Sequence, residues 1–151
     1  MGIEKDIQQT SFRNEHQKLG INIMYTANWL NEKIASILSQ EEITQQQYNI
    51  LRILRGADKP LSTLQIRARM LDKMSDTSRI VDRLVAKELV EKNTCPTDKR
   101  LVYVTLTKKG FAILEKLDQL NHHLDSLMKG ISEKEAHTMN QLLDQLRDAT
   151  K

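Results

Sequence analysis

The sequence predicts a mainly helical protein with one small β-hairpin, an α+β fold. Only two prolines and five glycines occur in the chain of 151 residues, which favours long helices. Apolar side chains recur at helical spacing through both ends of the chain. The run from Leu101 to Leu106 instead alternates with a period of two, with Val102, Val104 and Leu106 on one face, which is typical of a strand.

A long first helix is predicted from Phe12 onward, after about ten polar residues that are expected to fray. Its main apolar seam follows steps of four and three residues, and Tyr25 and Trp29 lie on further faces. So broad an apolar surface predicts burial against a second copy of the chain or a layer of helices. The seam consists of Leu19, Ile23, Ala27, Leu30, Ile34 and Ile37.

Two capping boxes start the next two helices. Thr44 with Gln47 begins the second helix, and Ser62 with Gln65 begins a short third helix. Residues 56–60 end the second helix, because Gly favours a helix C-terminus and Pro cannot continue a helix. The third helix runs through Leu71. Its residues predicted to face inward are Leu64, Ala68 and Leu71.

Ser75 is predicted to cap a fourth helix that runs to about Lys87. Two short helices joined by a tight turn, the second with a polar outer face at its N-terminus, form a helix-turn-helix. Two strands, 89–94 and 101–106, flank a charged turn and form a wing. The buried stripe of the fourth helix is predicted to be Ile80, Val81, Leu84 and Val85, with Thr77, Ser78, Asp82 and Arg83 largely off it.

Thr107 is predicted to cap a helix whose leucine spacing continues to Ile131, with a break at Gly130. A complete capping box, Ser132 with Glu135, starts the last helix. We predict one compact chain in three parts: an N-terminal dimerisation helix (1–40), a winged helix-turn-helix (41–110) and C-terminal dimerisation helices (111–151), forming a homodimer. The apolar side of the last helix consists of Met139, Leu142, Leu143 and Leu146.

Positive charge is concentrated in the middle of the chain. Residues 52–109 hold 14 Lys or Arg against 7 Asp or Glu, whereas the remainder holds 9 against 13. A basic module between mildly acidic flanks is typical of nucleic-acid binding. The alternative is that a solvated helical face carries these charges.

Several functional classes find no support in the sequence. It contains no nucleophile–base spacing, no glycine-rich phosphate loop and no clustered metal ligands, so we predict no enzyme, no cofactor and no metal site. His122 and His123 are adjacent and are expected to project in different directions from a helix. The lack of an apolar run of membrane length, the absence of a signal-like start and a single cysteine predict a cytoplasmic protein.

The wing carries a family pattern. Asp98-Lys99-Arg100, followed by Leu106-Thr107-Lys108-Lys109-Gly110, resembles the Asp-x-Arg…Leu-Thr-x-x-Gly pattern of the MarR (multiple-antibiotic-resistance regulator) family. Residues 78–90 are similar to that family's recognition helix and its exit, and the resemblance covers nearly the whole chain. It implies a winged-helix homodimer that binds a pseudo-palindromic DNA operator and represses transcription until a small-molecule or stress signal releases it.

The resemblance also implies roles for individual residues. By resemblance, Arg100 approaches the minor groove or its phosphates, and Asp98 positions Arg100. The residues that match positions facing the DNA major groove are Ser75, Thr77, Ser78, Arg79 and Arg83. Glu88 departs from the pattern, which has Gly there; a left-handed backbone at a non-glycine residue costs about 1–2 kcal/mol. The predicted DNA-contact set is Lys73, Ser75, Thr77, Ser78, Arg79, Arg83, Asp98, Lys99 and Arg100.

Three alternatives remain open at this point. Tyr25 and Trp29 either line a crevice for a small-molecule effector or are simple core residues, which is the commoner role of such a pair. Cys95 is either a redox sensor or, as we predict, a plain wing residue, since only Lys92 and Lys99 lie near enough in sequence to lower the pKa of its thiol. Finally, the basic face binds either DNA or, as a protein-interaction module, an acidic partner.

Overall fold

The computed structural model describes residues 2–151 and confirms a mainly helical fold with a small antiparallel sheet. Two compact units divide the chain, Met1–Leu117 and Asp118–Lys151. In chain order the elements are α1 (Ile3–Asp6), α2 (Glu15–Leu38), a 3₁₀ helix (Ser39–Glu41), α3 (Gln45–Gly56), β1 (Leu61–Ser62), α4 (Thr63–Arg69), α5 (Thr77–Ala86), β2 (Val90–Thr94), β3 (Val102–Leu106), α6 (Lys108–Asp118), α7 (Asn121–Leu127) and α8 (Glu133–Asp148).

The N-terminal residues are ordered, contrary to the expectation that they fray. Ile3 of α1 is buried, and the Glu4 carboxylate forms an ion pair with Lys18 of α2. This hydrogen bond lowers the pKa of Glu4 and raises the pKa of Lys18. The Lys18 ammonium also lies 5.8 Å from the centre of the Phe12 ring. The buried Ile3 side chain and the ion pair with Lys18 thus attach α1 to the rest of the unit, although most residues of this segment are polar.

Helices α3 and α4 begin where the capping boxes predict. The Gln47 N–H donates to Thr44 Oγ1 at 3.1 Å, and the Thr44 N–H donates to Gln47 Oε1 at 3.1 Å. The corresponding bonds between Ser62 and Gln65 are 2.9 and 3.2 Å long. Each box pairs two backbone N–H groups that the helix leaves without a partner. Local sequence is sufficient to place these two helix starts.

The inward face of α4 was predicted wrongly. Ile66 and Met70 are buried, whereas Leu64, Ala68 and Leu71 are exposed. Two apolar stripes of helical spacing overlap in this seven-residue helix, and periodicity alone cannot choose between them. The backbone also becomes extended at Met70 (φ −64°, ψ 141°), so Leu71 lies beyond the helix. Packing against the rest of the unit selects the stripe that is buried.

The sheet has three antiparallel strands in the order β1-β3-β2, one more than predicted. β1 is two residues long and pairs Leu61 with Val104, far along the chain. β2 and β3 form the wing and pair Val90 with Leu106 and Thr94 with Val102. Each of these two strands begins one residue later than predicted. Val104, in the centre, is fully buried.

Helix α5 buries the stripe that the sequence predicts, with one change. Ile80, Val81 and Leu84 are buried, while Val85 is exposed. Full burial of an aliphatic side chain contributes about 1.5–3 kcal/mol, so this stripe anchors the helix. Among the described residues, the other large side chains that are fully buried are Ile50, Leu51, Leu61, Ile66, Met70, Leu89, Val90, Val104, Leu114 and Leu117.

The C-terminal unit contains α7 and α8, and its break differs from the prediction. The helix that begins after Thr107 ends at Asp118, and α7 follows at Asn121, before the turn that contains Gly130. The leucine spacing in the sequence continues through Leu120 to Leu124, so it conceals the break. Asn and His, which start α7, are also weak helix formers. The Ser132–Glu135 capping box of α8 is confirmed, and its hydrogen bonds lower the pKa of Glu135.

Candidate nucleic-acid interface

The turn between α4 and α5 is organised by Asp72. Its Oδ1 accepts from the Met74 N–H at 3.0 Å, and its carbonyl oxygen accepts from Ser75 Oγ at 2.8 Å. Asn49 of α3 adds support, because its Oδ1 accepts from the Leu71 N–H at 2.9 Å. Helix α3 therefore acts as a scaffold that holds the helix-turn-helix in one geometry.

The cap of α5 is Asp76 rather than Ser75. The Asp76 carboxylate accepts from the Arg79 N–H at 3.2 Å, which satisfies one of the free donors at the helix start. Ser75 instead donates its hydroxyl to the turn before it. The Asp76 carboxylate therefore serves the helix terminus, where its charge is favourable.

The predicted contact residues of α5 divide into exposed and buried ones. Ser78, Arg79 and Arg83 are exposed on the outer face. Ser75 and Thr77 were expected on that face as well, but only 7% and 3% of their surfaces are accessible. The Thr77 hydroxyl is buried and has no hydrogen-bond partner among the described residues. Thr77 is buried although the next residue, Ser78, is exposed. A small hydroxyl side chain at a helix start is compatible with a buried or an exposed position, so the sequence does not distinguish the two.

An ion pair connects α5 to the wing. Asp82, on the exposed side of α5, pairs with Lys92 of β2. Asp82 would repel DNA phosphates if its charge were uncompensated. The Lys92 ammonium compensates this charge and links β2 to α5.

The exit from α5 has a left-handed residue. Glu88 adopts φ 60°, the conformation in which a non-glycine residue is strained. Its N–H donates to the Val85 carbonyl at 2.9 Å, and the Leu89 N–H donates to the Leu84 carbonyl at 3.0 Å. Both bonds cap the C-terminus of the helix in the manner of glycine-terminated helices. Glu88 therefore holds a left-handed conformation that favours glycine, at an energetic cost.

Thr107 and Gly110 lock this exit to the start of α6. Thr107 Oγ1 donates to the Glu88 carbonyl at 2.7 Å and accepts from the Gly110 N–H at 3.0 Å. A Cβ atom added at Gly110 would lie 2.3 Å from the Leu89 carbonyl oxygen, so only glycine fits there without a shift of backbone. The Thr and Gly of the Leu-Thr-x-x-Gly pattern are thus structural residues.

The wing tip holds Arg100 in place. Asp98 Oδ1 accepts from the backbone N–H of Arg100 at 3.0 Å and from its Nε at 3.1 Å, and Oδ2 accepts from Nη2 at 3.2 Å. The Arg100 hydrogen bonds lower the pKa of Asp98, so the carboxylate stays charged. The Arg100 side chain is nevertheless 90% exposed. The guanidinium is positioned at the surface and has donors left for an anion.

The two lysines of the predicted contact set differ in their surroundings. Lys73 donates its ammonium group to the carbonyl of Ala68, near the C-terminus of α4. Lys99 is exposed at the wing tip beside Arg100. Lys73 is therefore bound to the helix-turn-helix by a hydrogen bond, whereas Lys99 is exposed in the turn of the wing.

Cys95 has a neighbour that the sequence reading missed. Its sulfur lies 3.2 Å from Thr97 Oγ1. Hydrogen bonds from the Thr97 side chain, and then from the backbone at Thr97 and Asp98, lower the pKa of the Cys95 thiol. The expectation that only the nearby lysines can lower this pKa is wrong, because the tight turn brings hydroxyl and amide donors to the sulfur.

A groove of about 530 Å³ lies between α4 and the start of α5. Leu64 and Met74 line it and are 75% and 92% exposed. Leu64 was predicted to lie in the core. The signal in the sequence for its exposure is the second apolar stripe of α4, Ile66 and Met70, which is the one that is buried. The remaining lining residues are Thr63, Arg67, Ser75, Asp76, Thr77 and Ser78.

Tyr25 and Trp29 of α2 are 41% and 37% exposed, so neither is a fully buried core residue. They line neither the groove of α4 and α5 nor a smaller one of about 250 Å³ at Lys59, Pro60, Gln65 and Tyr103. Their role in effector binding stays a prediction.

The side chains of His122 and His123 were expected to diverge, but the centres of their rings lie 4.0 Å apart. No group of three side chains that could bind a metal ion occurs among residues 2–151.

A helix-turn-helix with an exposed basic recognition face, followed by a two-stranded wing with an arginine at its tip, defines a winged helix-turn-helix protein. The profile of the MarR family matches residues 42–101. The multiple antibiotic resistance protein MarR of Escherichia coli (strain K12) is 31% identical over 134 residues, which cover 86% of this chain and 91% of that protein. The chain belongs to the MarR family of DNA-binding transcriptional regulators.

Other relatives agree with this assignment. The transcriptional regulator MhqR of Bacillus subtilis (strain 168) is 25% identical over 130 residues, covering 83% of this chain and 87% of that protein. Among solved structures, a cysteine-to-serine variant of E. coli MarR complexed with operator DNA has a TM-score of 0.80 at 29% identity, covering 91% of this chain and 99% of that one. Among the described residues, no helix is both long and apolar enough to cross a membrane.

Proposed function

We propose that two copies of this chain bind a pseudo-palindromic operator and repress transcription until a signal releases them. The observation that carries this proposal is the geometry of α5 and the wing. The buried stripe of α5 leaves Ser78, Arg79 and Arg83 exposed, and the wing presents Arg100 already held by Asp98. A polar helix face with an arginine held beside it suits a grooved polyanion, because Arg100 loses little side-chain freedom on binding.

The proposed contacts fall into two groups by chemistry. Arg83 and Ser78, on α5, read base edges in the major groove, where arginine pairs with guanine through two hydrogen bonds. Lys73, Lys99 and Arg100 contact phosphates or the minor groove and add affinity without sequence choice. Arg79 joins the first group. Ser75, Thr77 and Asp98 act indirectly, by shaping the turn, the start of the helix and the wing tip.

Electrostatics supports the same assignment. Residues 52–109 carry 14 basic against 7 acidic side chains. At least two of those acids are engaged, Asp82 with Lys92 and Asp98 with Arg100. Phosphate contacts release counterions, so binding by such a surface weakens steeply as salt concentration rises.

Exposed apolar side chains support a homodimer. On α2 they include Leu19 and Met24, and on α8 they include Leu142. A monomer rarely leaves contiguous apolar helix faces in water, so we assign both faces to subunit contacts, consistent with dimerisation segments at 1–40 and 111–151. Two recognition helices then meet half-sites about one helical turn, roughly 34–36 Å, apart. The exposed apolar residues assigned to these contacts are Leu19, Met24, Met139, Leu142 and Leu146.

The release signal in this proposal is a small molecule that binds at Tyr25 and Trp29. Such an effector needs only to stabilise a dimer whose recognition helices no longer match the half-sites. Trp29 is the only tryptophan of the chain, so its fluorescence reports ligand binding directly. A compound that releases DNA without altering the fluorescence of Trp29 would argue against this placement.

The test of the proposed function is an electrophoretic mobility-shift series with genomic fragments at several salt concentrations. We expect a subset of fragments to bind more tightly than the rest, with affinity that falls as salt rises. Binding that is equal for all fragments, or absent, would favour the alternative of a protein-interaction module with an acidic partner. Sedimentation at micromolar concentration tests the dimer, which a monomeric species would contradict.

A further inference from the structure

The groove between α4 and α5 exposes two large apolar side chains on the proposed DNA-binding side of the protein. Leu64 is 75% exposed and Met74 is 92% exposed, and both line the groove together with Ser78. Leu64 and Met74 are not core residues, since Ile66 and Met70 fill the buried side of α4. They also lie outside α2 and α8, whose apolar faces we assign to the dimer.

The surroundings of the two side chains are suited to DNA. Arg67 follows Leu64 by three residues on α4, so both project from one face of the helix, and Arg67 lines the same groove. The acid among the lining residues, Asp76, is occupied as the cap of α5. The groove is continuous with Ser78 of the recognition helix. A cationic, hydroxyl-bearing and apolar surface of this kind complements a major groove with phosphate at its border.

The apolar feature of the DNA major groove is the C5-methyl group of thymine. Aliphatic side chains that reach base edges distinguish thymine from cytosine, and from uracil, through this methyl group alone. Burial of one methyl-sized group corresponds to about a fourfold change in affinity. Two exposed apolar side chains beside a recognition helix thus have an occupant of matching chemistry in the proposed complex.

We propose that Leu64 and Met74 form an apolar edge that reads thymine methyl groups in the operator. This inference rests on the proposed DNA-binding function and deepens it, because it assigns base choice to residues of α4 and the turn as well as to α5. Ser78 and Arg83 then select bases by hydrogen bonds, while Leu64 and Met74 select thymine by contact with its methyl group.

The experiment begins with selection of tight-binding duplexes from a random library, using the full-length protein. In one selected site each thymine is replaced in turn by deoxyuridine, which removes only the methyl group. Fluorescence anisotropy gives the affinity of the wild type, Leu64→Ala and Met74→Ala for each duplex. We expect deoxyuridine at one or more positions to weaken wild-type binding about fourfold, and this penalty to shrink towards onefold in at least one variant.

Leu71→Ala is the matched control. Leu71 is 85% exposed in the same turn but does not line the groove, so its removal is expected to leave the deoxyuridine penalty unchanged. All three variants replace exposed residues, and equal melting temperatures verify that they fold.

Each outcome of the experiment decides between the two proposals. A library from which no sequence is enriched overturns the proposed function and this inference together. Enriched sites that tolerate deoxyuridine everywhere overturn the inference and leave the function standing. A deoxyuridine penalty that persists in both Leu64→Ala and Met74→Ala also overturns the inference, and this result is expected if the groove holds another occupant such as a small apolar molecule. A penalty that disappears equally in Leu71→Ala overturns the inference as well.

Discussion

The exit from the recognition helix and the tip of the wing carry parts of one sequence pattern, but they work differently. At the exit, the Thr107 hydroxyl donates to the Glu88 carbonyl and accepts from the Gly110 N–H, and Gly110 lies too close to Leu89 for a Cβ atom. At the tip, Asp98 and Arg100 pair through their side chains in the open, and Arg100 remains 90% exposed. Hydrogen bonds and close backbone packing therefore hold the helix exit, whereas an exposed ion pair holds the wing tip.

This difference separates two kinds of sequence constraint. Residues of the exit determine where the wing starts relative to α5, so a change there affects folding first and DNA binding only as a consequence. Residues of the tip contribute little to the fold because exposed ion pairs contribute little to stability. A change at the tip is therefore expected to affect DNA binding at constant stability. The following variants test this separation.

The largest effect is expected for Gly110→Ala. The new Cβ atom would lie 2.3 Å from the Leu89 carbonyl oxygen, and backbone must move to relieve the contact. We expect the free energy of unfolding to fall by about 3 kcal/mol, at the upper end of usual overpacking costs. Gly56→Ala is the control, since nothing lies within 4 Å of a Cβ atom there. Urea denaturation that gives equal midpoints for both variants would refute the role assigned to Gly110.

The next effect concerns DNA binding without loss of stability. Arg83→Ala is expected to lose about 2 kcal/mol of discrimination between its preferred base and others, because a bidentate contact disappears. Ser78→Ala should likewise relax base preference. Arg100→Ala should instead weaken binding to specific and random duplexes alike and reduce the slope of log K against log salt concentration by about one. Anisotropy titrations over a salt series measure both quantities, and equal losses on specific and random DNA for all three variants would contradict this division.

A smaller and opposite effect is expected at the helix exit. Glu88 adopts φ 60°, and glycine relieves the strain of this conformation while adding freedom to the unfolded chain. We expect Glu88→Gly to stabilise the protein by about 0.5–1 kcal/mol. Glu88→Ala removes the same side chain but keeps the strain, so it should not stabilise. Thermal unfolding of the two variants separates backbone strain from loss of the exposed Lys109 ion pair.

The smallest effect is chemical and confined to the wing tip. The Thr97 hydroxyl lowers the pKa of the Cys95 thiol, which increases the thiolate fraction at any pH below that pKa. Thr97→Val removes the hydroxyl, so the pKa rises and alkylation of Cys95 by iodoacetamide slows at neutral pH. Rates measured from about pH 6 to about pH 10 should shift to higher pH in the variant. Superimposable profiles would show that the hydroxyl does not act on the sulfur.

For the predicted DNA-contact residues, the sequence predicted the exposure of some side chains correctly and of others wrongly. Ser78, Arg79 and Arg83 lie on an exposed face because the apolar stripe of α5 leaves only that face to solvent. The burial of Ser75 and Thr77 was not predictable, since small hydroxyl side chains are compatible with either side of a helix start. Leu64 was missed for a related reason, because an apolar residue is assigned to the core unless a neighbour is known to occupy that place.

The sequence by itself determined the fold class, the starts of α3, α4 and α8, and the buried stripe of α5 apart from Val85. All of these depend on interactions between residues only a few positions apart, which a capping box or a periodicity displays directly. Tertiary structure alone decided which stripe of α4 is buried, where β1 pairs and why Gly110 must be glycine. Those features depend on contacts between segments distant in sequence, such as Leu61 with Val104 and Gly110 with Leu89, and local patterns carry no information about them.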